Sequence, residues 1–305
     1  MDIKDNFISV CNLLVLPLMM PLSIIVLTVL RTERPFRNKL TYFILFVIVL
    51  LDCIHMVTTF LKGIMDFGPL LVMKMFGSFG GWLRVSYLTA VSMLEFLLAA
   101  NRLASILSFK GSKTKNLCFK AVIIVVSIIP FPCLLAVNVF CDYISFSYYE
   151  STYRYHGPPQ FEAPFIYSRL SFELCALAIY LVSAGIIFWK RNIYVGRQSK
   201  ISNMEISFVA QAFLQEFPVS FVNLCGGYLY NEIWKRGILF LVWSFVAATI
   251  PALHLLILVT VNKAIRKHVL LTICRFLVKF RSWKLLSTKH RVMTVAVVMD
   301  PSDKY

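Results

Sequence analysis

Seven stretches of about twenty or more mostly apolar residues divide this chain, and a bilayer core roughly 30 Å thick needs about that many residues per helix. They run Phe7–Leu30, Leu40–Leu61, Gly80–Leu107, Leu117–Phe140, Phe165–Trp189, Met204–Tyr230 and Gly237–Val261. Only 15% of the 305 residues are charged, while 59% are hydrophobic, a balance that cannot cover a soluble domain of this size with polar surface. The expected fold is therefore all-α, an integral-membrane bundle of seven transmembrane helices. The segments share no repeat, which argues against the duplicated halves of many transporters.

The formal net charge of +16 would suggest nucleic acid in a soluble protein. Here the basic residues fall between apolar runs, so no nucleic-acid partner is expected. Twenty-two Lys and Arg lie in the first connection, the third with the first turn of the fourth segment, the fifth and the tail, against six in the N-terminal stretch and the other connections. That asymmetry predicts an extracellular N-terminus and a cytoplasmic C-terminus in a multi-pass plasma-membrane protein. The apolar run after Met1–Asn6 is too long for a cleaved signal, so the first helix would serve as its own signal-anchor. No Asn-x-Ser/Thr sequon is present.

Three regions follow. Residues 1–262 form the seven-helix domain and residues 286–305 a short tail. Between them, 263–285 reads as an amphipathic helix on the anionic inner leaflet, with Ile265, Val269, Leu270, Ile273, Phe276, Leu277 and Phe280 at helical spacing among basic residues. Cys274 in that helix is either a palmitoylation site or an unmodified buried thiol. Cys141 is the lone cysteine in an outer loop, so no structural disulfide is expected. The aromatic loop Cys141–Pro164 would either lid a pocket or form an interfacial belt.

Polar groups inside the spans narrow the function. Asp52, Glu95 and Glu216 would lie at similar depth in the second, third and sixth segments. Three carboxylates there cannot all ionise cheaply, so either one at least is protonated or the group holds a cation. Arg169 and Glu173, one turn apart, would pair. Trp82, Arg84, Tyr87, Arg169, Asn223 and Trp243 would line the outer halves of the bundle. They suit a small, largely apolar ligand carrying an acidic or carbonyl group met by Arg84. Enzyme signatures are missing: there is no His-Glu-x-x-His, only Asp52 among the aspartates lies in a span, and "FGSFG" has the wrong order for an intramembrane serine protease. A transporter or ion channel is the alternative function.

"LLAANRLASIL", residues 97–107, places Arg102 at the cytoplasmic end of the third segment, where its guanidinium can reach water. Seven helices, an Asn101-Arg102 pair at this place and a surface helix after the seventh resemble rhodopsin-like G-protein-coupled receptors. "NRLASI" and "ERPFRNKLTYFILFVIVLLD" are similar to the nematode serpentine chemoreceptors of the Srg superfamily, of Srv or Srg type, over roughly residues 10–270. The resemblance implies a chemosensory receptor with a heterotrimeric G protein as partner, no cofactor, and coupling through Asn101, Arg102, Lys200 and Arg266. It also implies hinges at Pro218 and Pro251, and a sodium-binding role for Asp52. Three departures stand out. Asn101 replaces the acid beside the arginine, Gly77 stands where a disulfide cysteine would, and "IPALH" at 250–254 replaces Asn-Pro-x-x-Tyr. Ile250 removes a sodium ligand, and whatever restrains the resting state must lie elsewhere than beside Arg102.

Overall fold

A computed structural model describes residues 3–37, 39–67, 70–107, 113–133, 136, 145–149, 152–156, 159–193, 203–228 and 237–279. Their helices are α1 (Ile3–Thr32), α2 (Leu40–Phe67), α3 (Leu70–Ile106), α4 (Lys113–Ile128), α5 (Pro159–Ile193), α6 (Asn203–Tyr228), α7 (Gly237–Val261) and α8 (Lys263–Lys279), with a single turn at Arg34–Arg37 between α1 and α2. The apolar runs thus form helices, as their length and composition require. Helix α3 starts ten residues earlier than Gly80, because Phe67–Phe79 is apolar enough to extend it.

Four of these helices contain stretches long and apolar enough to cross a membrane: Ile8–Thr32, Leu40–Met65, Phe79–Ile106 and Tyr167–Lys190. Phe245–Val261 and Lys263–Lys279 are bent by 98° to each other and would make a fifth if taken as one broken span. Helix α4 is shorter, 16 residues or roughly 24 Å at about 1.5 Å per residue, and Pro130 and Pro132 follow directly. On length and composition, the described residues therefore carry four or five spans.

The strictly all-α expectation needs one correction. Between α4 and α5, β1 (Ser145–Tyr149) and β2 (Thr152–His156) form an antiparallel hairpin that places Phe146 opposite Tyr155 and Tyr148 opposite Tyr153. Aromatic residues alternating with Ser, Thr and Arg across a two-residue connection favour strands over helix. The hairpin lies against α3.

The packing is that of a protein in lipid. Apolar side chains face outward, among them Leu18, Leu181, Phe188 and Trp189, each more than 60% exposed. Polar ones face inward: Asn12, Asp52, His55, Glu95, Glu173, Gln211, Gln215, Glu216, Asn223 and His254 are all buried. Such an apolar exterior would be an aggregation surface in water and is the expected exterior in a bilayer. A large core joins α1, α2, α3, α7 and α8 through Val29, Leu30, Ile44, Leu45, Val91, Leu94, Leu258 and Ile265. Helices α1 and α2 meet closely at Gly63, where a Cβ would lie 2.8 Å from Leu13 Cγ and 3.0 Å from the Ser9 oxygen.

Helix α8 leaves α7 at Asn262, whose Oδ1 accepts from the Ile265 N–H at 3.2 Å and caps the new helix. Ile265 and Val269 pack into the core, while Leu270, Leu271, Leu277 and Val278 are exposed. Glu33 in the first connection faces α8, with its carboxylate 3.2 Å from His268 Nδ1 and 3.7 Å from Arg275, and the Phe36 ring meets His268 edge-on. Phe280 and the tail lie outside the described residues.

Candidate functional site

Near the middle of the bundle, three helices bring ionisable groups together. Asp52 on α2 accepts from the Tyr87 hydroxyl of α3 at 2.7 Å. His254 on α7 places Nδ1 3.3 Å from both Asp52 oxygens and Nε2 3.8 Å from Glu95 Oε1 on α3. All four side chains are buried. Burying this trio of Asp52, Glu95 and His254 at zero net charge takes two protons shared among three groups.

The expected set of three acids is thus divided. Asp52 and Glu95 both face His254, whose ring lies between them. Glu216 is fully buried elsewhere on α6, with one oxygen 3.3 Å from the Ser220 hydroxyl and its Oε2 without a hydrogen-bond partner. Among the described residues, no group of three or more His, Cys, Asp or Glu is arranged to hold a metal ion.

A neighbouring histidine completes the centre. His55 stacks flat on Tyr87, with ring centroids 4.3 Å apart, and bonds the main chain of Ala247 on α7. Pro251 has no N–H, so the helical acceptor four residues earlier, Ala247, is left to an outside donor. Neither histidine stood out as a site residue in the sequence. The signal was there in one form: a His in the middle of an apolar helix needs a buried partner.

From His254 a chain of hydrogen bonds descends to the α7–α8 bend. Gln215 Nε2 donates to the His254 main-chain oxygen (2.9 Å), Gln211 Nε2 to Gln215 Oε1 (3.1 Å), and Asn262 Nδ2 to Gln211 Oε1 (3.2 Å). Ser207, one turn before Gln211, donates to the Val261 oxygen at 3.0 Å. Ser207, Gln211 and Gln215 are spaced by four and so share one face of α6. That face is fastened to α7 and to the cap of α8.

A second polar centre joins α3, α5 and α6. Glu173 Oε1 accepts from Ser92 (2.7 Å) and from Asn223, and Arg169 Nε lies 4.0 Å away. The pairing of Arg169 with Glu173 expected from their spacing is present. Of the other residues expected to line the outer halves, Trp243 donates from Nε1 to the Val222 oxygen (3.0 Å), beside Asn223. Tyr87 belongs to the Asp52 centre. Trp82 turns to the segment that follows α4, donating to the Phe131 oxygen at 2.8 Å. Arg84 is half-buried.

At the other end of α3, Arg102 is half-buried with its Nε inaccessible to solvent. Asn101 donates to Thr41 Oγ1 at 2.9 Å, tying α3 to α2. Lys190 donates to the Ile106 oxygen (2.9 Å) and Arg266 to the Thr260 oxygen (3.1 Å), each satisfying a carbonyl at a helix C-terminus. Lys200 and Cys141 lie outside the described residues. Cys274 is exposed on α8. Pro218 and Pro251 sit inside α6 and α7.

No family model matches the sequence, and no curated protein matches it.

Proposed function

We propose that this chain is a chemosensory G-protein-coupled receptor of the plasma membrane. In this reading α1 to α7 all span, with the N-terminus outside and α8 on the inner leaflet, and the chain belongs with the Srg-type serpentine receptors. A small molecule binds between the outer helix halves. The cytoplasmic ends of α3 and α6, with the basic connections, receive a heterotrimeric G protein, and the protein is not an enzyme.

The observation that carries this reading is the continuous polar path from the Asp52–His254–Glu95 centre, through Gln215 and Gln211, to the Asn262 cap of α8. Such a path gives a ligand above it something to switch. A ligand shifts a two-state helix arrangement only by binding the two states with different affinity, and buried hydrogen bonds that must all break together make the two states discrete. Asn101 has no carboxylate to offer Arg102, so the fastening of α6 to α7 takes over the restraint of the closed state.

The test is reconstitution of the chain in vesicles with a heterotrimeric G protein, measuring GDP release, alongside ion flux across the same vesicles. Receptor-dependent GDP release without flux supports the receptor. Flux without GDP release replaces it with a channel or transporter.

A further inference from the structure

Glu173 is fully buried, yet only one of its two carboxylate oxygens is used. Oε1 receives Ser92, Asn223 and the approach of Arg169. Oε2 is inaccessible to solvent and has no hydrogen-bond partner. An unsatisfied acceptor on a buried charged group is costly, and its natural remedy is a donor from outside the protein. The surroundings fix the kind of donor. Arg169, whose Nε lies 4.0 Å from Oε1, offers the carboxylate a counter-charge, so a cationic group would bring a second buried positive charge to the site, and an anionic group would face a bare oxygen of like charge. One turn further along α5, Ala176 packs with Ala99, Ala212 and Tyr180, with the Phe96 ring against them, so small apolar residues and aromatic rings adjoin the acid.

We propose that Glu173 Oε2 anchors a neutral small molecule with an apolar or aromatic body that donates one N–H or O–H hydrogen bond to it. The site rests on the receptor reading only in being the ligand site of that receptor; its binding chemistry can be measured without any G protein. Ser92 on α3, Glu173 on α5 and Asn223 on α6 already share Oε1, so a donor arriving at Oε2 engages the same carboxylate that joins three helices. The ligand class differs from the acidic or carbonyl compound that Arg84 suggests in the sequence. Glu173 offers an acceptor, where Arg84 would offer a donor.

The experiment uses the full chain purified in lipid nanodiscs and direct binding of matched donor and methyl-blocked probes: indole against 1-methylindole, and phenol against anisole. A lost hydrogen bond to a charged group corresponds to about tenfold or more in affinity. Each donor probe is expected to bind about tenfold or more tightly than its blocked partner in the wild type, and E173Q is expected to reduce that ratio to near one for indole, because an amide N–H in place of Oε2 cannot accept. E216Q, at the other buried acid of the α6 side, should leave the ratio unchanged. Equal binding of donor and blocked probes, or no binding of either, overturns the proposal even if E173Q fails to fold. GDP release in the reconstituted system bears on the receptor reading separately: tight donor binding without GDP release keeps this site and rejects that reading.

Discussion

Gln215 on α6 donates its side-chain N–H to the main-chain oxygen of His254 on α7 across 2.9 Å, and the ring of that same histidine faces Asp52. One residue thus joins the ionic centre to the fastening of α6. If α6 moves away from α7 to admit a G protein, this bond breaks, together with those of Asn262 to Gln211 and Ser207 to Val261. The double variant Gln211→Leu/Gln215→Leu removes two side-chain links, each worth about 1 kcal/mol net, and a shift of 1–2 kcal/mol is roughly a 5- to 30-fold change in population. Basal GDP release is expected to rise by that factor. Spin labels at the exposed positions Ser105 and Ala210, with the other exposed cysteines replaced by serine, should shift to longer separations. Unchanged separations mean that these bonds do not hold α6 closed.

His254 lies between two buried acids and can balance one of them, so removing it strands a carboxylate. Breaking a buried ion pair by deleting one partner costs about 3–5 kcal/mol. His254→Phe is expected to lower the thermal unfolding midpoint in detergent accordingly. Adding Asp52→Asn and Glu95→Gln to it should recover most of the loss. Lack of recovery would mean that His254 acts through packing alone.

The imidazole also occupies the space between Asp52 and Glu95. Ligand affinity at fixed ionic strength is therefore expected not to change when sodium replaces a large organic cation. A sodium effect in the wild type that disappears in Asp52→Asn would restore the bound cation suggested by the sequence resemblance.

Gly63 has no room for a side chain against Leu13 and the Ser9 oxygen. Gly63→Leu forces α1 and α2 apart and should cost about 1–3 kcal/mol, the usual range for overpacking a filled interior. The comparison for thermal stability is Gly185→Leu on α5, where nothing lies within 4 Å of the added Cβ and little change is expected.

How much of this could be read from the sequence follows from the range of each interaction. Arg169 with Glu173 was legible because an (i, i+4) pair is fixed by the helix itself. The helix after Asn262 is legible as a change from a uniformly apolar run to one with basic residues at helical spacing, whereas its 98° bend from α7 is set by packing. The hairpin within Cys141–Pro164 is hard to read because its alternation runs for only five residues on each side and its aromatic content suits a lid or an interfacial belt equally. The pairing of Asp52 with His254 spans 202 residues and depends on how α2 and α7 pack, which no local pattern reports. For the same reason the partner of Glu216, expected at similar depth to Asp52 and Glu95, is not legible: its oxygen meets Ser220 on its own helix. Depth along a helix is readable from the sequence, but rotation about its axis was not.

In the proposed function the G protein meets the end of α3 that carries Arg102, so this arginine is where coupling is tested. The most direct test is GDP release from a heterotrimeric G protein by vesicles carrying the wild type and Arg102→Ala at equal receptor density and orientation. The account predicts release above that of empty vesicles for the wild type, and release at the empty-vesicle rate for the variant, with unchanged thermal stability. Wild-type release from Arg102→Ala would contradict it and leave the arginine as a side chain that only reaches for water at the membrane edge.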